Sequence, residues 1–338
     1  MKKIILSMGL TCILVNAFDF VSGITSIASQ GMLALGMDGK SSSIEVDSEC
    51  KEPFESYDYN LEGIFQVSTT YGISKSGKIL NFINDDKSAN KVISDDFREY
   101  TKVIARNFLW IPLEVEKLFG ETIYQDRINS GDVVLRTTKN LKYKKMYTKL
   151  DDFLIKYNNY IGKSNQKYPY DIKINILSTQ KKAESVPYGY IFISEDYIAN
   201  GKFETILVHE LAHISKRHST KDIQYRLVTT YDNVTEITEL IKNLQDASKA
   251  EKFVQGLSST MVIKKSFELY TQDQEIEADA CGLRSINLFI PNKKEIHVKN
   301  FIENINNVEA SKEVNAVFED HPDKSKRIEN INRVSAAL

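Results

Sequence analysis

The apolar positions of this chain change period several times, and each change predicts an element. Between residues 146 and 162, Leu150, Phe153, Leu154, Tyr157 and Ile161 recur three and four apart, which predicts an amphipathic helix. From Tyr170 to Leu177 the period drops to two, with Ile172, Ile174 and Ile176 on one face, the pattern of a strand. Pro187-Tyr188-Gly189 predicts a turn, and Tyr190 to Ser194 a second strand. Helical spacing returns at Phe203, Ile206, Leu207, Leu211 and Ile214. No Pro or Gly falls between Lys202 and Thr220, so one helix is expected there, closed by His218.

The flanks are read in the same way. Residues 18–60 have no clear period. Residues 64–73 alternate loosely like a strand, and residues 96–127 are helical in pattern, with Pro112 expected to kink or divide them. Residues 220–270 read as largely helical, as do 266–283 and 295–318. Pro291-Asn292 breaks the run, and Asp320-His321-Pro322 opens a last helix carrying Arg327, Ile328 and Ile331. The fold class expected is α+β, mainly helical, with a small sheet.

Composition removes some functions. A net charge of -2 over 338 residues supplies no basic field for nucleic acid. Of three cysteines, Cys12 lies in the N-terminal apolar run, while Cys50 and Cys281 could pair in an oxidising compartment; the spacing favours leaving them unpaired. Lys2 and Lys3 followed by an apolar run to Ala17 read as an export signal, cut after Ala17 or Ala28. The run is short for a membrane span and Asp19 interrupts it, so a soluble mature protein is expected. The organisation expected is a signal peptide over 1–28, an N-terminal region of unread role over 29–140, and a main domain over 141–338.

The chemistry concentrates in HELAH, residues 209–213. On a helix, His209 and His213 share one face, one turn apart, and Glu210 between them can reach a water on a shared metal. Two surface histidines on an ordinary helix would give the same spacing, but only five histidines are present and most sit in motifs. A catalytic zinc takes three protein ligands. Glu275 is the best candidate for the third, on a predicted helix where the small Ala278 permits close packing. Asp279, one turn on, can hydrogen-bond the free ring nitrogen of a zinc-bound histidine.

HELAH, then EIEADACG, then DHPDKSKR, together resemble the zinc metallopeptidase family of the CAAX prenyl endoprotease and the HtpX membrane protease, and within it the soluble, exported BepA-like branch. The resemblance covers roughly residues 146–338. VPYGYIFIS at 186–194 is similar to the strand before that family's HExxH helix, and Arg217-His218 to its Arg-His pair. It implies that 141–338 is a zinc metallopeptidase domain of zincin (gluzincin-like) fold, with one Zn2+ on His209, His213 and Glu275, and Glu210 as general base. Asp279 would support a metal-bound histidine, and His321 and Arg327 would lie near the active site. His321 is read as a fourth ligand or an oxyanion donor, and Arg327 as an oxyanion donor or a core ion pair. His218 is expected to be structural.

The chain departs from the family pattern at Pro187-Tyr188-Gly189 and at Tyr270-Thr271-Gln272, which bears on substrate choice. The function implied is a zinc endopeptidase acting on unfolded or misfolded envelope proteins, in the periplasm or secreted. The substrate backbone is expected to add to the edge of the strand Tyr190–Ser194. A zinc-dependent quality-control factor that binds and seldom cleaves is the alternative. Partners are protein or peptide substrates, with association to membrane or envelope complexes left open.

Overall fold

The structure, a computed structural model, describes residues 48–51, 111–163, 168–178, 183–230, 243, 249–252, 254, 272–307 and 323–338. The chain divides into two compact units. One takes residues 1–44, 58–112 and 224–253. Among its described residues, the Ile111 amide donates to Gln224 Oε1 at 2.9 Å, and Ile111 and Leu227 are buried.

The other takes residues 45–57, 113–223 and 254–338. Its elements are α1 (Leu113–Asn129), β1 (Val133–Val134), α2 (Leu141–Lys163), β2 (Lys173–Leu177), β3 (Ala183–Val186), β4 (Tyr190–Ser194), α3 (Glu195–Ala199) and α4 (Phe203–Ser215). Helix α5 (His218–Thr230) begins in this unit, and α6 (Gln272–Phe289), α7 (Lys294–Asn307) and α8 (Lys324–Ala336) complete it. It is mainly helical around a small mixed sheet, as the element pattern predicts. Helix α1 and strand β1 precede residue 141, yet they fall in the same compact unit as the helices and strands after it.

The sheet runs β1-β2-β4-β3, with β2 and β4 parallel and the two outer pairings antiparallel. Every residue of β4 is buried, and every residue of β2 after Lys173. Both faces of the central pair are therefore covered, as parallel pairs require. The alternation over 170–177 predicted a strand with one wet face, but Asn175 faces inward too, and its amide donates to the Lys173 and Ile191 carbonyls. Helix α2 packs with Leu150, Phe153, Tyr157 and Ile161 buried, and the Ile176 amide donates to its Tyr147 hydroxyl at 3.2 Å. The turn before β4 needs Gly189: its φ is 77°, and a Cβ there would stand 2.8 Å from the Tyr170 ring.

Two expectations are corrected. The run 202–220 is two helices. It breaks at Lys216-Arg217, where Arg217 has φ 50°. A left-handed conformation is costly for a side-chain-bearing residue. It is held by burial of the guanidinium against Glu116, which accepts from Arg217 Nε at 2.9 Å and from the Tyr188 amide at 3.3 Å. His218 therefore opens α5 and does not close α4. The second correction is Cys50–Cys281, which form a disulfide with 5.0 Å between their Cα atoms. Sequence spacing could not register a pair 231 residues apart.

Around that bond, residues 48–51 lie on α6 and α8. Arg333 Nη1 reaches Glu49 at 2.7 Å, and Asn330 donates to the Ser48 carbonyl at 3.1 Å. Helix α8 starts with Asp323 as its cap, accepting from the Ser325 amide at 2.8 Å. His321 and Pro322 lie outside the described residues, as do residues 1–47, the strand-like stretch 64–73, the helical pattern over 96–110, and most of 231–271 and 308–322. Among the described residues, no helix is long and apolar enough to cross a membrane.

Candidate metal centre

Helix α4 lies between the sheet and α6, and its sequence explains the placement. Ile206, Leu207, Leu211 and Ile214 supply the apolar stripe, all buried. Helix α6 presents small residues to it, Ala278 and Gly282. A Cβ on Gly282 would stand 3.2 Å from the backbone N and Cα of His209, so the two helices meet there nearly backbone to backbone. Ala278 is fully buried, as the small-residue reading expected, and Gly282 makes the close backbone approach.

This approach gathers His209, His213 and Glu275 into one group. The two Nε2 atoms are 3.0 Å apart. Glu275 Oε2 lies 3.6 Å from His209 Nε2, and its Oε1 3.4 Å from His213 Nε2. A tetrahedral zinc with bonds near 2.05 Å sets its ligand atoms about 3.4 Å apart. The two imidazole nitrogens and the Glu275 carboxylate are therefore spaced much as one zinc would hold them. Two imidazole nitrogens and one carboxylate are also a donor set that zinc accepts.

The surrounding groups are charged and buried. His209 Nδ1 lies 2.9 Å from Asp279 Oδ1. Arg327 donates through Nε to Asp279 Oδ2 at 2.7 Å and through Nη2 to Oδ1 at 3.0 Å, and its Nη1 meets Glu275 Oε2 at 2.7 Å. The guanidinium is thus committed to two carboxylates. On the other side, His213 Nδ1 and His218 Nδ1 are 2.8 Å apart. His218 Nε2 is 3.0 Å from Glu277 Oε2, and Lys216 Nζ is 2.8 Å from Glu277 Oε1.

Titration in the metal-free protein follows from this packing. Burial pushes Glu275 up, but Arg327 and the two imidazoles outweigh it, and its carboxyl lies well below the usual range. Glu277 behaves likewise, with His218 and Lys216 outweighing burial. Burial pushes His213 down to about 3, against the pull of Glu275. Burial also pushes His209 down, but Asp279 and Glu275 reverse it to a net rise.

Glu210 is different. Burial pushes it up to about 7, against the pull of His209 and a hydrogen bond from Ser185. One of its oxygens, Oε2, is buried without a hydrogen-bond partner among the described residues.

Ser185 lies on β3, the edge strand of the described sheet. The expected pairing of substrate with Tyr190–Ser194 is corrected here: β4 is paired on both sides, by β2 and by β3. The Ser185 carbonyl accepts from the Ser219 hydroxyl at 3.0 Å.

Residues 176–335 match the family model of peptidase family M48. Peptidases of that family are zinc-dependent, and the match supports the family named by the three motifs and a metallopeptidase function. Comparison with curated proteins finds no match.

The structure brings together His209, His213, Glu275, Glu210, Asp279 and Arg327. His218, Glu277, Ser185 and Gly282 were not singled out as parts of a site. The acids at 275, 277 and 279 carried a signal, since every second residue of α6 there is a carboxylate.

Proposed function

We propose that this protein is a zinc-dependent endopeptidase that cleaves unfolded or misfolded proteins of the cell envelope. The observation that carries this reading is the convergence of His209, His213 and Glu275 on one point, with Glu210 one residue from a ligand and one of its carboxylate oxygens without a hydrogen-bond partner among the described residues. Those three residues would hold the zinc. When bound, zinc supplies Lewis acidity, which acidifies a water and polarises a carbonyl.

The chain's own groups do the rest. Glu210 accepts the proton of the attacking water and returns it to the leaving amine. Its raised pKa in the metal-free protein suits a group that must both take and give a proton. Ser185 orients the carboxylate from β3. Arg327 holds Asp279 and Glu275 in place.

The disulfide between Cys50 and Cys281 supports an oxidising compartment, and with the N-terminal Lys2-Lys3 and apolar run it supports export to the periplasm in the manner of the BepA-like branch. The test is Glu210→Gln assayed on casein beside wild type. Zinc content is expected to stay at about one per chain, while cleavage falls by at least ~100-fold. Retained cleavage at more than a few per cent of wild type removes Glu210 as the base.

A further inference from the structure

We infer that His218 and Glu277 are positioning residues of the metal centre, a relay that keeps His213 protonated on Nδ1 and leaves its Nε2 lone pair free for zinc. The inference rests on the zinc site proposed above. It starts from the outer end. Glu277 Oε2 stands 3.0 Å from His218 Nε2, and a carboxylate can only accept, so the proton of that contact is on His218 Nε2. A neutral imidazole has one N–H, so His218 Nδ1 then carries a lone pair. His213 Nδ1, 2.8 Å away, must be the donor between the two rings. That leaves His213 Nε2 as an acceptor towards His209 Nε2, 3.0 Å away. The Glu275 carboxylate competes for the same proton from 3.4 Å, and the shorter 2.8 Å contact between the two rings holds it on Nδ1.

Each contact thus fixes the next, over two rings. Burial makes the arrangement necessary. His213 and His218 are almost entirely shielded from water, so water cannot set the tautomer of either. Reversed, the relay would point a bare ring nitrogen at the Glu277 carboxylate and a proton at the zinc position.

Lys216 gives the inference a specific consequence, because it occupies the other Glu277 oxygen at 2.8 Å. In Glu277→Gln, the ammonium claims the amide oxygen, and the amide NH2 turns to His218. His218 must then accept at Nε2 and donate at Nδ1, which drives the proton of His213 onto Nε2. A near-isosteric change two rings away should weaken zinc binding 10- to 100-fold. Adding Lys216→Met frees the amide to rotate and should restore most of that loss.

The experiment has two arms. Zinc affinity is measured by chelator competition for wild type, Glu277→Gln and Lys216→Met/Glu277→Gln, with a thermal melt of each metal-free protein to show that it is folded. The metal-free wild type is labelled with 15N-histidine, and the tautomer of each of its five rings is read from its nitrogen shifts. Expected are Nδ1–H on His213, Nε2–H on His218, weaker binding in the single variant and recovery in the double.

Nε2–H on His213, or an imidazolium at His218, overturns the relay. So does a single variant that binds like wild type, or a double variant as weak as the single, which a purely structural Glu277 would give. Should Glu277→Gln fail to fold, the wild-type tautomers decide alone. A wild type that binds no zinc sinks the peptidase reading, and the tautomers still judge the relay separately.

Discussion

His209 and His213 sit one helical turn apart on α4, yet the protein supports their rings with different materials. His209 is the more exposed, with 16% of its side chain accessible, and it meets the Asp279 carboxylate directly at 2.9 Å. His213 is fully buried and meets a second imidazole first, with the carboxylate of Glu277 beyond it. Both routes end alike, in an α6 carboxylate held by a cation, Arg327 for Asp279 and Lys216 for Glu277. The difference is one of reach. Asp279 touches the near histidine, and a further ring spans the gap to the far one. A buried imidazole needs its free nitrogen satisfied whatever the distance, because an unpaired buried N–H costs about 1–3 kcal/mol.

The comparison breaks most visibly at Asp279. This carboxylate serves His209 and takes two hydrogen bonds from Arg327. Asp279→Asn leaves the buried guanidinium with Glu275 as its remaining ion-pair partner among the described residues. Breaking such a pair costs about 3–5 kcal/mol. Urea melts of the metal-free proteins should show a loss of that size for Asp279→Asn and a smaller one for Glu277→Gln, whose carboxylate is more exposed. Equal losses would mean that the two routes are energetically the same.

The two routes also differ in how far sequence could read them. The His209 side was legible: His209, Glu275 and Asp279 are fixed by helical spacing once α4 and α6 are faced together. The His213 side was not, because His218 was read as the end of α4. Nothing in the run 202–220 signals a break, since no Gly or Pro marks it. The break comes from Glu116, about a hundred residues earlier, which holds Arg217 in a left-handed conformation. The strand Tyr190–Ser194 was legible from its unbroken apolar run, whereas β1 and β3 are too short or too polar to register. The disulfide, the Gly282 approach and the Ser185 contact share one cause of illegibility, in that each partner is distant in sequence.

Between the two routes lies Glu210, a buried carboxyl that takes part in no close ion pair among the described residues, although His209 attracts it. Its pKa of about 7 in the metal-free protein means that the native state keeps the proton after an unfolded chain, titrating near 4.5, has lost it. The stabilisation from that proton is complete below pH 4.5 and is lost as pH rises through 7. Across that window wild type should lose on the order of 3 kcal/mol relative to Glu210→Gln, which does not titrate. His213 contributes in the opposite sense over lower pH, since its ring stays neutral down to about 3, but it does so equally in both proteins. A stability difference between the two proteins that stays flat from pH 4.5 to 7.5 would show that Glu210 ionises normally.

The smallest expected effect tests whether the His209 side depends on helix spacing. Gly282→Ala places a Cβ 3.2 Å from the His209 N and Cα and 3.0 Å from the Phe301 ring. In an isolated helix the change would stabilise by about 1 kcal/mol, because Ala is the better helix former. Here the obstructing atoms are backbone in a packed helix and cannot swing aside, so α6 must shift. Overpacking of this kind costs about 1–3 kcal/mol, which outweighs the propensity gain and leaves a net loss near 1 kcal/mol. The shift carries Glu275 and Asp279 away from His209, while Glu277 has Lys216 and His218 to follow. In the metal-free protein, the 15N signals of His209 should therefore move more than those of His213. A stabilised variant, or equal movement of both rings, would mean that α6 yields as a whole and that the two supports are not independent.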